Sequence, residues 1–220
     1  MTAAPRRTRP NYDVYLGQTP GQTLGPFFHQ GLLRTKAVFQ VPGLCNDDVD
    51  VFHHVLVQPA TFGERVALEG VVYDGLGQPI PDALLEIWQA NAHGRYHHPL
   101  DTSGRELDPA FDGYGRAATD ARGAFAFSSV RPGAVAGPGG RLQASHINLV
   151  LGARGMTRHA FTRVYFAGDA QLDRDPVLSL VPEERRPTLL AQPAGQRDGA
   201  TIYRFDIRLQ GDRETVFFDV

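Results

Sequence analysis

Apolar and polar positions alternate with period two in several short stretches of this chain, the spacing of β-strands with one covered face. In residues 201–210, Thr201, Tyr203, Phe205, Ile207 and Leu209 share one face, and Arg204, Asp206, Arg208 and Gln210 the other. The polar Gly211–Glu214 and the β-rich Thr215–Val220 then predict a terminal hairpin. Upstream, Val66–Asp74 and Ala83–Gln89 flank Gly75-Leu76-Gly77 as strand, turn and strand. Asp120–Gly123 separates Arg116–Thr119 from Ala124–Ser128, and Ile147–Ala153 and Thr162–Phe166 bring the set to at least seven strands. Residues 183–191 predict one short helix, interrupted at Pro187. Residues 1–12 read as a disordered arm and 27–60 as a poorly patterned excursion. No repeat or linker divides the chain, so 1–220 is expected to be one domain. The pattern predicts an all-β sandwich with long loops and little helix.

Composition narrows the function classes. The 24 Gly and 16 Pro mark turns at short intervals, as many short strands require. A net charge of −2 gives no basic excess for nucleic acid. Cys45 alone leaves no internal disulfide and no cysteine-rich metal site, and fits a reducing, cytoplasmic compartment. No apolar run reaches the roughly 18 residues that span a bilayer, and the start lacks the apolar core of a secretory signal.

The candidate chemistry starts with eight histidines. His93, His97 and His98 surround Tyr96, and His146 opens a strand. Adjacent residues on an extended chain diverge, so neither His97-His98 nor Ser145-His146 forms a working pair. Hydrolase, P-loop and dinucleotide motifs are absent. Asp82, Glu86, Asp108 and Asp112 suit turns and surface faces as well as acid chemistry.

The informative stretch runs from Gly70 to Tyr96: GVVYDGLGQPIPDALLEIWQANAHGRY. It resembles the signature of the intradiol ring-cleavage dioxygenases, which act on catechols with a non-haem ferric iron. The correspondence continues through Phe111–Thr119, the Arg131-Pro132-Gly133 corner, the strand from His146, Thr162–Phe166 and Tyr203–Gln210. The resemblance implies a ferric site built from two tyrosinates and two histidines, hard anionic donors suited to Fe(III). Tyr96 takes the first tyrosine place and His146 the first histidine place. Val135 takes the second tyrosine place with no donor atom, and Asn148 the second histidine place as a weak neutral donor. Tyr96 and His146 therefore read as relics or structural residues, and no metal is expected on this chain.

Within the family, Thr19–Pro26, Ala153-Arg154-Gly155 and the ending Gly211–Val220 look like the non-metallated α chains of its αβ enzymes. That resemblance implies a homologous β subunit holding Fe(III), an αβ hetero-oligomer, and no nucleic-acid or membrane partner. It also implies cleavage of protocatechuate with O2 to 3-carboxy-cis,cis-muconate, a step of aromatic catabolism. Substrate contacts carried over to this chain are Thr23, Gly25, Pro26, Phe27 and Arg154. Glycine lets backbone approach a flat ring, Phe27 stands where many members have tyrosine, and Arg154 can hold an anion with its fork of donors. Interchain ion pairing is the plainer role for Arg154. Two other readings stay open on the sequence: a self-sufficient catechol-type dioxygenase and a non-enzymatic β-sandwich binding module.

Overall fold

A computed structural model describes residues 23–25 and 53–219. Its strands, in chain order, are β1 Arg65–Tyr73, β2 Leu84–Trp88, β3 Tyr114–Ala118, β4 Ala124–Val130, β5 Val135–Ala136, β6 Leu142–Gln143, β7 His146–Gly152, β8 Ala160–Phe166, β9 Leu190–Arg197, β10 Ala200–Arg204 and β11 Ile207–Arg208. Helix among the described residues is confined to short 3-10 turns. The expected all-β architecture is what the chain adopts.

The strands form two layers. In one, β1 lies antiparallel to β4 and parallel to β10, with Leu68 opposite both Phe127 and Tyr203. β10 returns antiparallel to β9 through Asp198 and Gly199, whose φ angles of 50° and 78° are those of a two-residue hairpin turn. In the other layer the order is β3-β2-β7-β8. β9 links the layers: Leu190 and Ala191 pair with Tyr165 and Phe166 of β8 before the strand continues beside β10. A strand that changes sheets makes such a corner.

The facing surfaces meet in one core. Val66, Leu68, Val72, Phe125 and Phe127 pack from the first layer against Leu85, Ile87, Ile147, Leu149 and Leu151 of the second. On β7 these inward residues alternate with His146, Asn148 and Val150, which look outward. Cross-strand partners share a face, so Trp88, Asn148 and Arg163 line up across β2, β7 and β8 on that outer surface. The loops 89–104 and 131–145 lie against one end of it, which is where the candidate chemistry gathers.

Some expectations need correction. Val66–Asp74 and Ala83–Gln89 are strands, but they join different layers instead of pairing with each other. The stretch 201–210 is two strands with one register, since Glu69 pairs with Arg204 and Val72 with Ile207. Between them the Val71 N–H donates to the Asp206 carboxylate at 2.9 Å, and the Phe205 carbonyl sits where a β-carbon on Gly70 would be. No terminal hairpin forms along Thr215–Asp219. Arg208 and Thr215 exchange two bonds, and Phe218 then donates its N–H to Phe161 on β8. The short helix is a 3-10 helix, Glu183–Leu189, that runs through Pro187. The expected arm at 1–12 and most of 27–60 lie outside the described residues.

Candidate functional site

The loop after β2 is assembled by its own polar side chains. Asn91 Oδ1 accepts the N–H groups of His93 and Arg95, both at 3.0 Å, and its amide donates to the Glu106 carbonyl. Its backbone receives Gly94 and Gly133, tying this loop to the Arg131-Pro132-Gly133 corner. The wholly buried Gln89 accepts from Ser129 and donates to the Val130 carbonyl. Gly94 has φ 79°, and a β-carbon there would run into the Ala134 carbonyl. Gln89, Asn91, Gly94 and Gly133 thus explain much of the signature stretch as scaffolding for the turn that delivers Tyr96. In the sequence alone nothing marks these residues for that work.

Tyr96 stacks on Trp88, with ring centres 5.8 Å apart and planes 17° apart. Its hydroxyl receives the Asn148 amide at 3.4 Å, and its own N–H is held by Asp101 at 2.7 Å. Burial raises the pKa of the phenol, only partly offset by Asn148 and the nearby Arg163. His146 is buried, and its Nδ1 lies 2.8 Å from the Ala144 carbonyl, which can only accept, so Nδ1 carries the proton. Burial, and secondarily the charge of Arg163, lowers its pKa to about 4 and keeps the ring neutral. Val135 is buried on β5, and a cavity of about 490 Å³ lined by Trp88, Tyr96, His98, Leu100, Val135 and Ala136 lies beside it.

The four places expected to hold iron therefore come together, but the groups standing there do not fit ferric iron. Val135 offers only methyl groups. Asn148 spends its amide hydrogens on the Trp88 carbonyl and Tyr96, so the side chain presents donors where a ligand must present a lone pair. Among the described residues no group of three or more His, Cys, Asp or Glu side chains could hold a metal ion. His97 and His98 are exposed, and His93 stacks on Phe62. Ser145 donates to the Pro132 carbonyl, away from His146.

Arg154 lies elsewhere. It follows β7 at the end opposite His146, about 20 Å away along seven residues of strand. Leu24 is clamped there: its N–H donates to the Met156 carbonyl at 2.8 Å, and its carbonyl accepts from Gly155 at 3.0 Å. This places Thr23 and Gly25, both exposed, beside Arg154, whereas Pro26 and Phe27 lie outside the described residues. Arg154 is half-exposed and approaches Asp82 at 3.6 Å, an ion pair within the chain. Asp82 has φ 59°, and its Oδ1 is buried without a hydrogen-bond partner. Only its turn context after Pro81 hinted at a special backbone. Other charged clusters are structural: Arg131 bonds Tyr203 and Asp169 and lies over Phe166.

A two-layered all-β chain with this loop signature and these ligand places defines a class. The family model described as Dioxygenase matches residues 46–211, and the chain belongs to the intradiol dioxygenase family, whose members are non-haem iron enzymes. In particular, the chain is 42% identical over 208 residues to the protocatechuate 3,4-dioxygenase alpha chain of Pseudomonas putida, covering 93% of this chain and 97% of that one. It is also 32% identical to the beta chain of Burkholderia cepacia, over 94% and 90% of the two chains. Among solved structures, the dioxygenase domain of a carbohydrate-binding fusion protein from Streptomyces sp. SirexAA-E superposes with a TM-score of 0.55. That match has 26% identity and covers 72% of this chain and 87% of that one. Alpha and beta chains are thus both homologues of this chain. No helix among the described residues is long and apolar enough to cross a membrane.

Proposed function

We propose that this chain is the metal-free α-type subunit of a protocatechuate 3,4-dioxygenase and completes the substrate pocket of a homologous, iron-bearing β subunit. The reaction inserts both atoms of O2 between the two hydroxylated carbons of protocatechuate, giving 3-carboxy-cis,cis-muconate. The observation that carries the reading is the separation of the two clusters along β7. The ligand places at one end lack two donors, while Thr23, Gly25 and Arg154 lie about 20 Å away at the other. Groups so far from the chain's own degenerate centre suit a site that a partner completes.

In this role Arg154 holds the substrate anion with its planar fork of donors. Thr23 and Gly25 form part of the wall against which the flat ring rests. Arg154 donates hydrogen bonds and moves no proton, because a guanidinium stays charged throughout the working pH range. The chain's contribution is therefore orientation and charge complementarity.

Iron analysis tests the reading. Expressed alone, the chain should carry far less than one iron and show no phenolate-to-iron absorption. Co-expressed with its β homologue, it should form a stable complex with one iron per αβ pair. Stoichiometric ferric iron on the isolated chain would sink the proposal.

A further inference from the structure

The residues at the degenerate ligand places are joined by one further side chain, Arg163. On the β7–β8 ladder Asn148 lies opposite Arg163 and His146 opposite Tyr165, so all four project from the same face. Arg163 Nη1 donates to Gln143 Oε1 at 2.7 Å, and Gln143 is the ladder partner of Val135. Asn148 in turn donates to the Tyr96 hydroxyl. From Tyr96 through Asn148, Arg163 and Gln143 to Val135, the chain of neighbours visits three of the four ligand places with a guanidinium in its middle. The fourth, His146, feels the charge of Arg163 directly. Tyr165, beside Arg163, has its hydroxyl 3.2 Å from the wholly buried Asp175 carboxylate, so a negative charge lies near the cation.

We propose that Arg163 closes this centre to metal: its guanidinium supplies a fixed positive charge among the ligand places, so that restoring the two missing donors would not by itself restore iron binding. The proposal rests on the reading of this chain as a metal-free subunit. Its physical basis is simple. Arginine cannot shed its proton in a protein, and like charges a few ångströms apart repel strongly away from bulk water. A ferric ion entering here would meet a cation already anchored by Gln143. Loss of donors and gain of a resident cation are separate changes: each weakens metal binding, and the cation alone should keep ferric iron out.

The test measures iron per αβ pair by elemental analysis, in complexes co-expressed with the β homologue. Wild type and V135Y/N148H should both carry one iron per pair. V135Y/N148H/R163Q should approach two and gain a second phenolate-to-iron absorption, whereas V135Y/N148H/R163K, which keeps the charge, should stay at one. A V135Y/N148H complex that already carries two irons overturns the role of Arg163. So does an R163Q triple variant that assembles, melts within a few degrees of wild type and stays at one. The single R163Q variant gives a second reading that needs no new ligands. With Tyr96 and His146 as donors, it should bind Co(II) at least tenfold more tightly than wild type at a site beyond those of the β chain. Equal Co(II) affinity overturns the proposal. A wild-type pair carrying two irons would overturn both this inference and the subunit reading, and so differs from failure of the inference alone.

Discussion

Arg154 is half-exposed and faces the more buried Asp82 at 3.6 Å, and an ion pair with so exposed a partner contributes only about 0–1 kcal/mol. Asp82 can therefore keep the fork near its place without competing seriously with a substrate carboxylate. A charge-assisted hydrogen bond to such an anion is worth about 1.5–3 kcal/mol. Arg154→Ala in the assembled complex should accordingly lower kcat/KM about ten- to a hundredfold with iron content unchanged. Catechol, which lacks the carboxylate, should lose less. Full activity on both substrates would reduce Arg154 to a surface charge. Glu86 offers a pH test. Burial tends to raise its pKa, but bonds from Tyr114 at 2.6 Å and Arg116 at 2.8 Å prevail and hold it below its usual value. The stabilisation is present above the unfolded pKa near 4.5 and is lost as pH falls through the lower folded value. Glu86→Gln should thus melt below wild type at pH 7, and the gap should shrink as the pH is lowered past 4 in thermal melts.

At the scale of elements, legibility followed the contrast between faces. β7 reads clearly because Ile147, Leu149 and Leu151 enter the core while Asn148 and Val150 do not. β9 was missed because Leu190–Arg197 is exposed along most of its length and contains Pro193 and Gly195. No periodicity marks it, and it is a strand because β8 and β10 offer it partners. The opposite error occurred at the C-terminal segment, where β-rich composition suggested a hairpin. After one pairing of Arg208 with Thr215 the chain leaves to meet Phe161 instead. The signature loop is governed by backbone geometry. Gly94→Ala would force a β-carbon onto a left-handed residue and against the Ala134 carbonyl, costing at least about 2 kcal/mol. The melting temperature should drop by several degrees, and the Tyr96–Trp88 stack should loosen, visible as a change in tryptophan fluorescence.

For the whole molecule, the decisive relation is between the two ends of β7. One end carries Asn148 beside Tyr96, with His146 two residues before it on the strand; the other presents Arg154 beside Leu24. On the proposed reading the two sites work together in an assembly, and obligate interfaces are large and apolar. The chain alone should therefore self-associate or precipitate. Co-expression with the β homologue should yield a stable complex in size-exclusion chromatography. A monodisperse monomer indifferent to the β chain would count against the assembly.

The sequence by itself determined the all-β class and most core strands, because alternation is a property of neighbouring residues; the ligand places at Tyr96, Val135, His146 and Asn148 were what the family resemblance implied. That Val135 can donate to no metal was equally legible, since a valine has no lone pair in any fold. Only the tertiary structure decided that β1 and β2 part into different layers and that β9 bridges them. It also put Arg163 opposite Asn148, through the register of the antiparallel β7–β8 ladder. The pairing of Arg154 with Asp82 belongs to the same class, joining residues on separate turns. Such juxtapositions depend on register and on which strand ends meet, and the local pattern of polar and apolar residues carries no information about either.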